Sequence, residues 1–221
     1  VIVILFFLSL IFSGLIWLVP EINIPPKSAK NEHIISGNNI RLLITMIFAM
    51  LFQQLSGIGI LIEQLDELLS GIGLEISSNL QTCLFDFVGA LSVINSAFVS
   101  DIITTKYMWS ISAFGLFIGL LIYAITYKLY YNSWISSLGV FIYFLFYGLG
   151  EGPIPWYLCG TLFHECVIIE SSCINVGWNL FLTPIMDYLW KKLKESFDLF
   201  GSIIFASATC FIAIFFGFFV I

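Results

Sequence analysis

Apolar residues run through this chain in long blocks separated by short polar breaks. A helix needs about 20 apolar residues to cross a bilayer. By that measure the pattern predicts seven spans, the first over residues 1–20 and closed by Pro20-Glu21. Residues 21–40 form a polar, proline-containing linker. Further spans follow over 41–62, 80–100, 107–127, 134–158, 171–190 and 199–221. The connection after 62 is acidic, with Glu63, Asp66, Glu67 and Glu75. A short turn covers 101–106, a polar loop 161–170, and a charged stretch 191–198. The expected domains are thus the helix 1–20, the linker 21–40 and a six-helix block 41–221.

The fifth block is interrupted by Gly148-Leu149-Gly150-Glu151-Gly152-Pro153-Ile154-Pro155-Trp156. Proline removes a backbone donor and clashes with the preceding turn, and glycine adds backbone freedom. In hydrocarbon the freed carbonyls need partners, so the segment must be buried in protein or line a wet cavity. A broken span with an acid inside it fits either a structural kink or a transporter substrate site.

Composition fixes the class. Of the 221 residues 60% are hydrophobic and only 10% charged, with a mean hydropathy of +1.04. The fold class is all-α integral membrane, a multi-span helical bundle. The net charge of −6 argues against nucleic acid as a partner; lipid is the expected surround. Five scattered cysteines make neither a disulfide framework nor a zinc site. The chain opens at Val1 in an apolar run without a basic n-region, which reads as a span and not a signal peptide. It is expected to be the C-terminal piece of a longer protein. Lys27, Lys30, Arg41 and Lys106 fall on one side, and Lys128, Lys191, Lys192 and Lys194 on the other. That balance leaves the orientation unassigned.

Polar groups inside the spans are the candidate chemistry. Gln53 and Gln54 are adjacent and point about 100° apart, so one can pack while the other faces a cavity. Gln53, Ser56 or Gly57, Ile60 and Glu63 or Gln64 form one stripe. Asp86 and Asn95 lie on opposite sides of the third span, about 180° apart. An intramembrane acid is a functional candidate, either Asp86 as a proton site or the same residue protonated at the interface. Glu151 either binds an ion or proton, its charge stabilised by freed amides, or is tolerated because the break admits water. Asn175, Asn179 and Thr183 form a polar stripe beside Trp178, suited to a sugar or, more simply, to a neighbouring helix. His33 and His164 fall in loops. No nucleophile–base pair, metal cluster or phosphate loop is visible, so neither an enzyme nor a cofactor is expected.

Two segments together, Gln53-Gln54-Leu55-Ser56-Gly57 and Gly152-Pro153-Ile154-Pro155-Trp156, resemble the sugar-porter branch of the major facilitator superfamily. That family carries Q-Q-L-S-G in its seventh helix and G-P-G-P-I-P-W in its tenth, and Pro20-Glu21 is similar to the close of its sixth. The resemblance covers the whole chain as helix six plus the C-terminal half. It implies a missing N-terminal half, a cytoplasmic linker 21–40 and a midplane sugar site between the halves. It further implies that Gln53 and Gln54 are sugar-binding amides, with Trp156, Trp178 and Asn179 around the sugar. Gly152, with Pro153 and Pro155, would be the gating hinge. Asp86 and Glu151 are the acids available for proton or ion coupling.

The departures are specific. Ile58-Gly59 and Glu63-Gln64 stand where the family has a sugar amide and an outer aromatic lid. Gly148 replaces a sugar-binding glutamate, Gly177 an asparagine, and Glu151 a proline. The loop after the third span keeps only Asp101 and Lys106 of the family motif. The family's eighth-helix asparagine falls on Asn95 if a gap is placed inside the helix, and on Gly89, with Asp86 one turn away, in the preferred ungapped match. The implied function is transport of a small hexose-like sugar by alternating access, facilitative or proton-coupled, in the plasma membrane. The alternative is a degenerate, non-transporting relative acting as a sensor or scaffold. A seven-helix receptor would share only the span count.

Overall fold

The computed structural model describes residues 37–62, 65, 78–129 and 133–221. The expected span 1–20, most of the linker 21–40 and the acidic connection after 62 lie outside these residues. Helices are α1 (Gly37–Leu55), α2 (Ser78–Val99), α3 (Thr105–Lys128) and α4 (Ser133–Phe146). A π turn, Tyr147–Glu151, then leads into α5 (Ile154–Leu162), and α6 follows over Ile168–Phe219. Among the described residues, four helical runs are long and apolar enough to cross a membrane: Asn39–Ile62, Thr105–Lys128, Trp134–Leu162 and Ile168–Phe219. The shorter stretch Cys83–Val99 is also apolar.

The last helix holds the sixth and seventh expected spans. Its backbone leaves helical geometry at Asp198, with φ 60° and ψ 178°. Contacts show that the chain turns back there. Along the first arm, Trp178 bonds to Ile47 O, and Trp190 lies against Gly59. Along the second arm the order reverses: Ala206 meets Gly57, Thr209 reaches Leu55, and Phe216 packs on Phe52. The charged stretch 191–198 between these expected spans is therefore helical, and the turn falls at its last residue. Lysine, leucine and glutamate are strong helix formers, and Lys192 Nζ donates to Glu195 2.6 Å away, one turn on. That bond holds the Glu195 carboxyl below the usual carboxylate range.

Lipid provides no hydrophobic drive between helices, so close packing and interhelical hydrogen bonds hold them. The α3–α4 crossing shows how closely the backbones approach. A Cβ on Gly119 would stand 2.7 Å from Gly139 O, and one on Gly139 would stand 2.8 Å from Gly119 O. Trp109, fully buried, donates to Ala213 O of the second arm at 2.9 Å. Phe87, Phe98, Phe114, Leu180 and Phe219 are exposed, as expected of a surface that meets acyl chains.

The second expected span also breaks. Ser56-Gly57 is a turn, with Gly57 at φ +90°. The expected stripe survives around it: Gln53, Ser56 and Ile60 are all buried. Thr209 Oγ1 donates to Leu55 O at 2.7 Å, and the Tyr143 hydroxyl lies 3.0 Å from Ser56 Oγ. The bend is thereby tied to α4 and to the second arm of α6.

Candidate functional site

The break after α4 is built by side chains from four helices. Ser112 of α3 sits between Phe146 and Glu151. Its hydroxyl donates to Phe146 O at 2.7 Å and accepts from the Glu151 N–H at 2.8 Å. A side chain inserted into the backbone ladder is a recognised cause of a helix kink, and here it coincides with the π turn. Gly152 N–H closes the wide turn on Tyr147 O at 2.9 Å. Ser92 of α2 donates to Leu145 O. Gly148 and Gly150 allow these approaches, because a Cβ on either would meet backbone carbonyls of α2 or α3.

The turn that follows draws in two side-chain amides. Trp156 N–H bonds to Pro153 O at 3.1 Å and so leaves Gly152 O without its helical donor. Gln53 Nε2 donates to that oxygen at 2.5 Å. Asn175 Nδ2 donates to Pro155 O at 2.8 Å. The backbone around the break is thus bonded by Gln53, Ser92, Ser112 and Asn175, in keeping with the absence of water in a bilayer.

Beside the break lies an open cleft of about 620 Å³, lined by Gln53, Val93, Tyr147, Gly152, Pro153, Trp156 and Tyr157. A second hollow of about 480 Å³ shares Val93, Pro153 and Tyr157 and continues towards Ser100, Thr105 and Thr161. Trp156 is half exposed. A flat aromatic at the mouth and an amide in the wall can stack on and bond to a polar ring.

The predicted residues divide accordingly. Gln53, Gly152, Pro153 and Trp156 come together at the cleft. Pro155 lies just behind it, buried. Gln54 is half-buried and does not line the cleft. Trp178 and Asn179 are used elsewhere: Trp178 Nε1 donates to Ile47 O at 3.2 Å, and Asn179 Nδ2 lies 3.0 Å from Met50 Sδ. The polar stripe of α6 joins neighbouring helices, its simpler reading. Asp86 is exposed on α2 and is not brought to Glu151, which is fully buried.

Glu151 departs from expectation in one respect. Freed amides do not stabilise its carboxylate. Its own N–H goes to Ser112, and both carboxylate oxygens are buried without a hydrogen-bond partner. Nor does the break admit water to it, since its exposure is 0%.

Sequence reasoning missed Ser92, Ser112, Tyr143 and Thr209. One signal was available for α2: Gly89, Ser92 and Ser96 are small residues at helical spacing, the kind that lets helices approach. Ser112 and Thr209 carry no such mark.

Residues 25–221 match the family model described as "Sugar (and other) transporter". Among curated relatives, Trehalose transporter 1 of Drosophila melanogaster is 25% identical over 81% of this chain and 22% of its own length. The facilitated trehalose transporter Tret1 of Polypedilum vanderplanki is 26% identical over 81% of this chain and 37% of its own. The Bombyx mori Tret1 is 23% identical over 73% and 33%. The chain therefore spans between a fifth and two fifths of the length of these relatives. The fold is similar to the crystal structure of a double-tryptophan XylE mutant, with a TM-score of 0.74 and 16% identity. That match covers 83% of this chain and 40% of the other. With a family model matched over most of its length and the superfamily's helical fold around a cleft at the Gly-Pro break, this multi-pass membrane chain belongs to the sugar (and other) transporter family.

Proposed function

We propose that this chain supplies one six-helix half of a membrane sugar transporter that works by alternating access. The observation that carries the reading is the Gln53–Gly152 bond at the wall of the cleft. It joins the two family-like segments, one supplying an amide and the other a hinge, at a place open to a ligand. The exposed faces of α1, α2 and α5 around Trp156 then meet a second six-helix half, and the sugar lies between them. Trp156 and the cleft edge of Gln53 contact the sugar. Gly152, Pro153 and Pro155 form the hinge, since a break held by side-chain bonds has fewer fixed helical bonds to lose on bending.

The substrate is a hexose or a small glucose disaccharide. The relatives are named for trehalose, which supports the larger choice. The plasma membrane is the proposed location.

The test is counterflow of labelled trehalose and labelled glucose in vesicles bearing the protein expressed from its complete gene. Saturable exchange of at least one sugar is expected, with KM raised in Trp156→Ala. Absence of exchange for both sugars in the native protein would refute the reading.

A further inference from the structure

Glu151 is a charge-bearing residue in a place that offers nothing to a charge. It sits at the end of the π turn with no exposed surface. Neither carboxylate oxygen has a hydrogen-bond partner. The ion pair recorded among the described residues, Lys192–Glu195, lies elsewhere, on the exposed charged stretch. The groups close enough to feel a charge here are Tyr143 of α4, Tyr147 of the π turn and Cys210 of α6. All three are neutral or become anionic, so none can balance a carboxylate. From α1, Gln53 reaches Gly152 O and Ser56 reaches the Tyr143 hydroxyl, and neither titrates. On α2, Cys83 and Asp86 face outward. From α3 comes Ser112, whose hydroxyl is committed to the backbone.

A buried carboxylate without donors or a counter-charge is the costliest way to hold this residue. A metal ion is no remedy. Hard cations take several oxygen ligands, and these two oxygens have no polar neighbour within bonding distance. One ligand remains that needs no further donor, namely a proton.

We propose that Glu151 is a proton-binding site whose occupancy is tied to the closed state of the helix break. In the packing described above the carboxyl carries its proton. When the break opens and water reaches residue 151, the O–H bond is lost, the proton passes to water, and the carboxylate is left hydrated. Reprotonation from water restores the neutral acid and allows the break to close. Charge balances at each step and no redox partner is involved. The site is placed to bias two bends at once. Glu151 is joined through Ser112 to the π turn. Tyr143, close enough to feel a charge at this position, holds the Ser56-Gly57 bend of α1. Coupling of this proton to sugar movement rests on the transport reading above; binding of the proton does not.

Two measurements separate these statements. The first is infrared spectroscopy of the native protein and Glu151→Gln in membranes at neutral pH. The native spectrum is expected to show a protonated-carboxyl C=O band that Glu151→Gln lacks. Superimposable spectra in that region would overturn the proposal. Should Glu151→Gln fail to fold, native protein labelled with carbon-13 glutamate decides alone. The band must then shift with the label, and an unshifted or absent band overturns the site.

The second measurement is the ratio of pH-gradient-driven uptake to counterflow, with trehalose and glucose as probes. The native ratio is expected to rise with the gradient, and that rise is lost in Glu151→Gln. An equal rise in both proteins, or none in the native one, overturns the coupling. Absence of native counterflow refutes the transport reading, and the infrared result still decides the proton site.

Discussion

Replacing Gln53 by alanine separates two roles that the sequence merges, a ligand for sugar and a strut for the broken helix. Gln53 is 4% exposed, and its Nε2 donates to Gly152 O at 2.5 Å. The helical donor for that oxygen, Trp156 N–H, is turned to Pro153 O. In Gln53→Ala the Gly152 carbonyl therefore loses its side-chain donor and cannot recover its helical one without rebuilding the turn. An orphaned buried acceptor costs about 1–3 kcal/mol. Measured interhelical hydrogen bonds in membranes average about 0.6 and reach about 1.7 kcal/mol, because other partners are often at hand. Among the described residues no other side chain donates to this oxygen, which places the loss near the upper end, about 2 kcal/mol with the lost packing. For a chain of this size that corresponds to a fall in Tm of roughly 4–8 °C. Cys159 and Cys210 are buried free thiols, so a thiol-reactive fluorophore reports unfolding above the baseline of exposed Cys83, Cys166 and Cys173. Sugar affinity is measured on the same samples. A native Tm combined with weakened sugar binding would refute the strut and leave Gln53 as a ligand only.

Three further outcomes test the packing. Gly57→Ala places a Cβ 2.8 Å from Ala206 Cβ at a φ of +90°. It should destabilise by about 2 kcal/mol or more, seen as a lower Tm in the same thiol assay. Asp198→Gly relieves a backbone conformation, φ 60° and ψ 178°, that glycine alone adopts readily. A gain of about 1 kcal/mol is expected, and a loss would show that the Asp198 side chain matters to the turn. Gly139→Ala forces a Cβ to within 2.8 Å of Gly119 O and 3.0 Å of Tyr123 N. No side-chain rotation relieves a clash with backbone, so α3 and α4 must separate. A drop of about 1–3 kcal/mol in thermal or denaturant stability is expected.

Much of the fold was legible because a bilayer imposes a simple rule. Every crossing segment must be apolar and must satisfy its own backbone. Block length alone therefore placed the described helices to within a few residues. The Gly-Pro interruption of the fifth block was equally visible, since proline cannot donate wherever it stands. The helix of the sixth span runs on past its apolar end because residues 191–197 mix charges with strong helix formers. Charge marks the membrane edge, whereas propensity decides whether the helix continues beyond it.

The candidate site was legible as two segments and illegible as an arrangement. Gln53 and Gly152 could each be picked out, yet nothing in the sequence says that the amide of one meets the carbonyl of the other across 99 positions. Gln54 looked equivalent to Gln53, and only the rotation of α1 distinguishes them. Asn179, expected at a sugar, has its amide nitrogen on the sulfur of Met50, a partner the sequence does not announce. Ser112, which opens the π turn, is one of many serines in apolar helices and acquires its role from where α3 crosses.

What the sequence determined by itself is the membrane class, the succession of helices, the family and the presence of a break with an acid inside it. These follow from composition and local backbone chemistry, which act wherever the residue lies in space. Tertiary structure decided how the break is satisfied, which polar groups face a cleft, and that the Glu151 carboxyl is sealed away from every donor. Those outcomes depend on helix rotation and crossing, where a turn of about 100° per residue exchanges a buried partner for lipid or cavity.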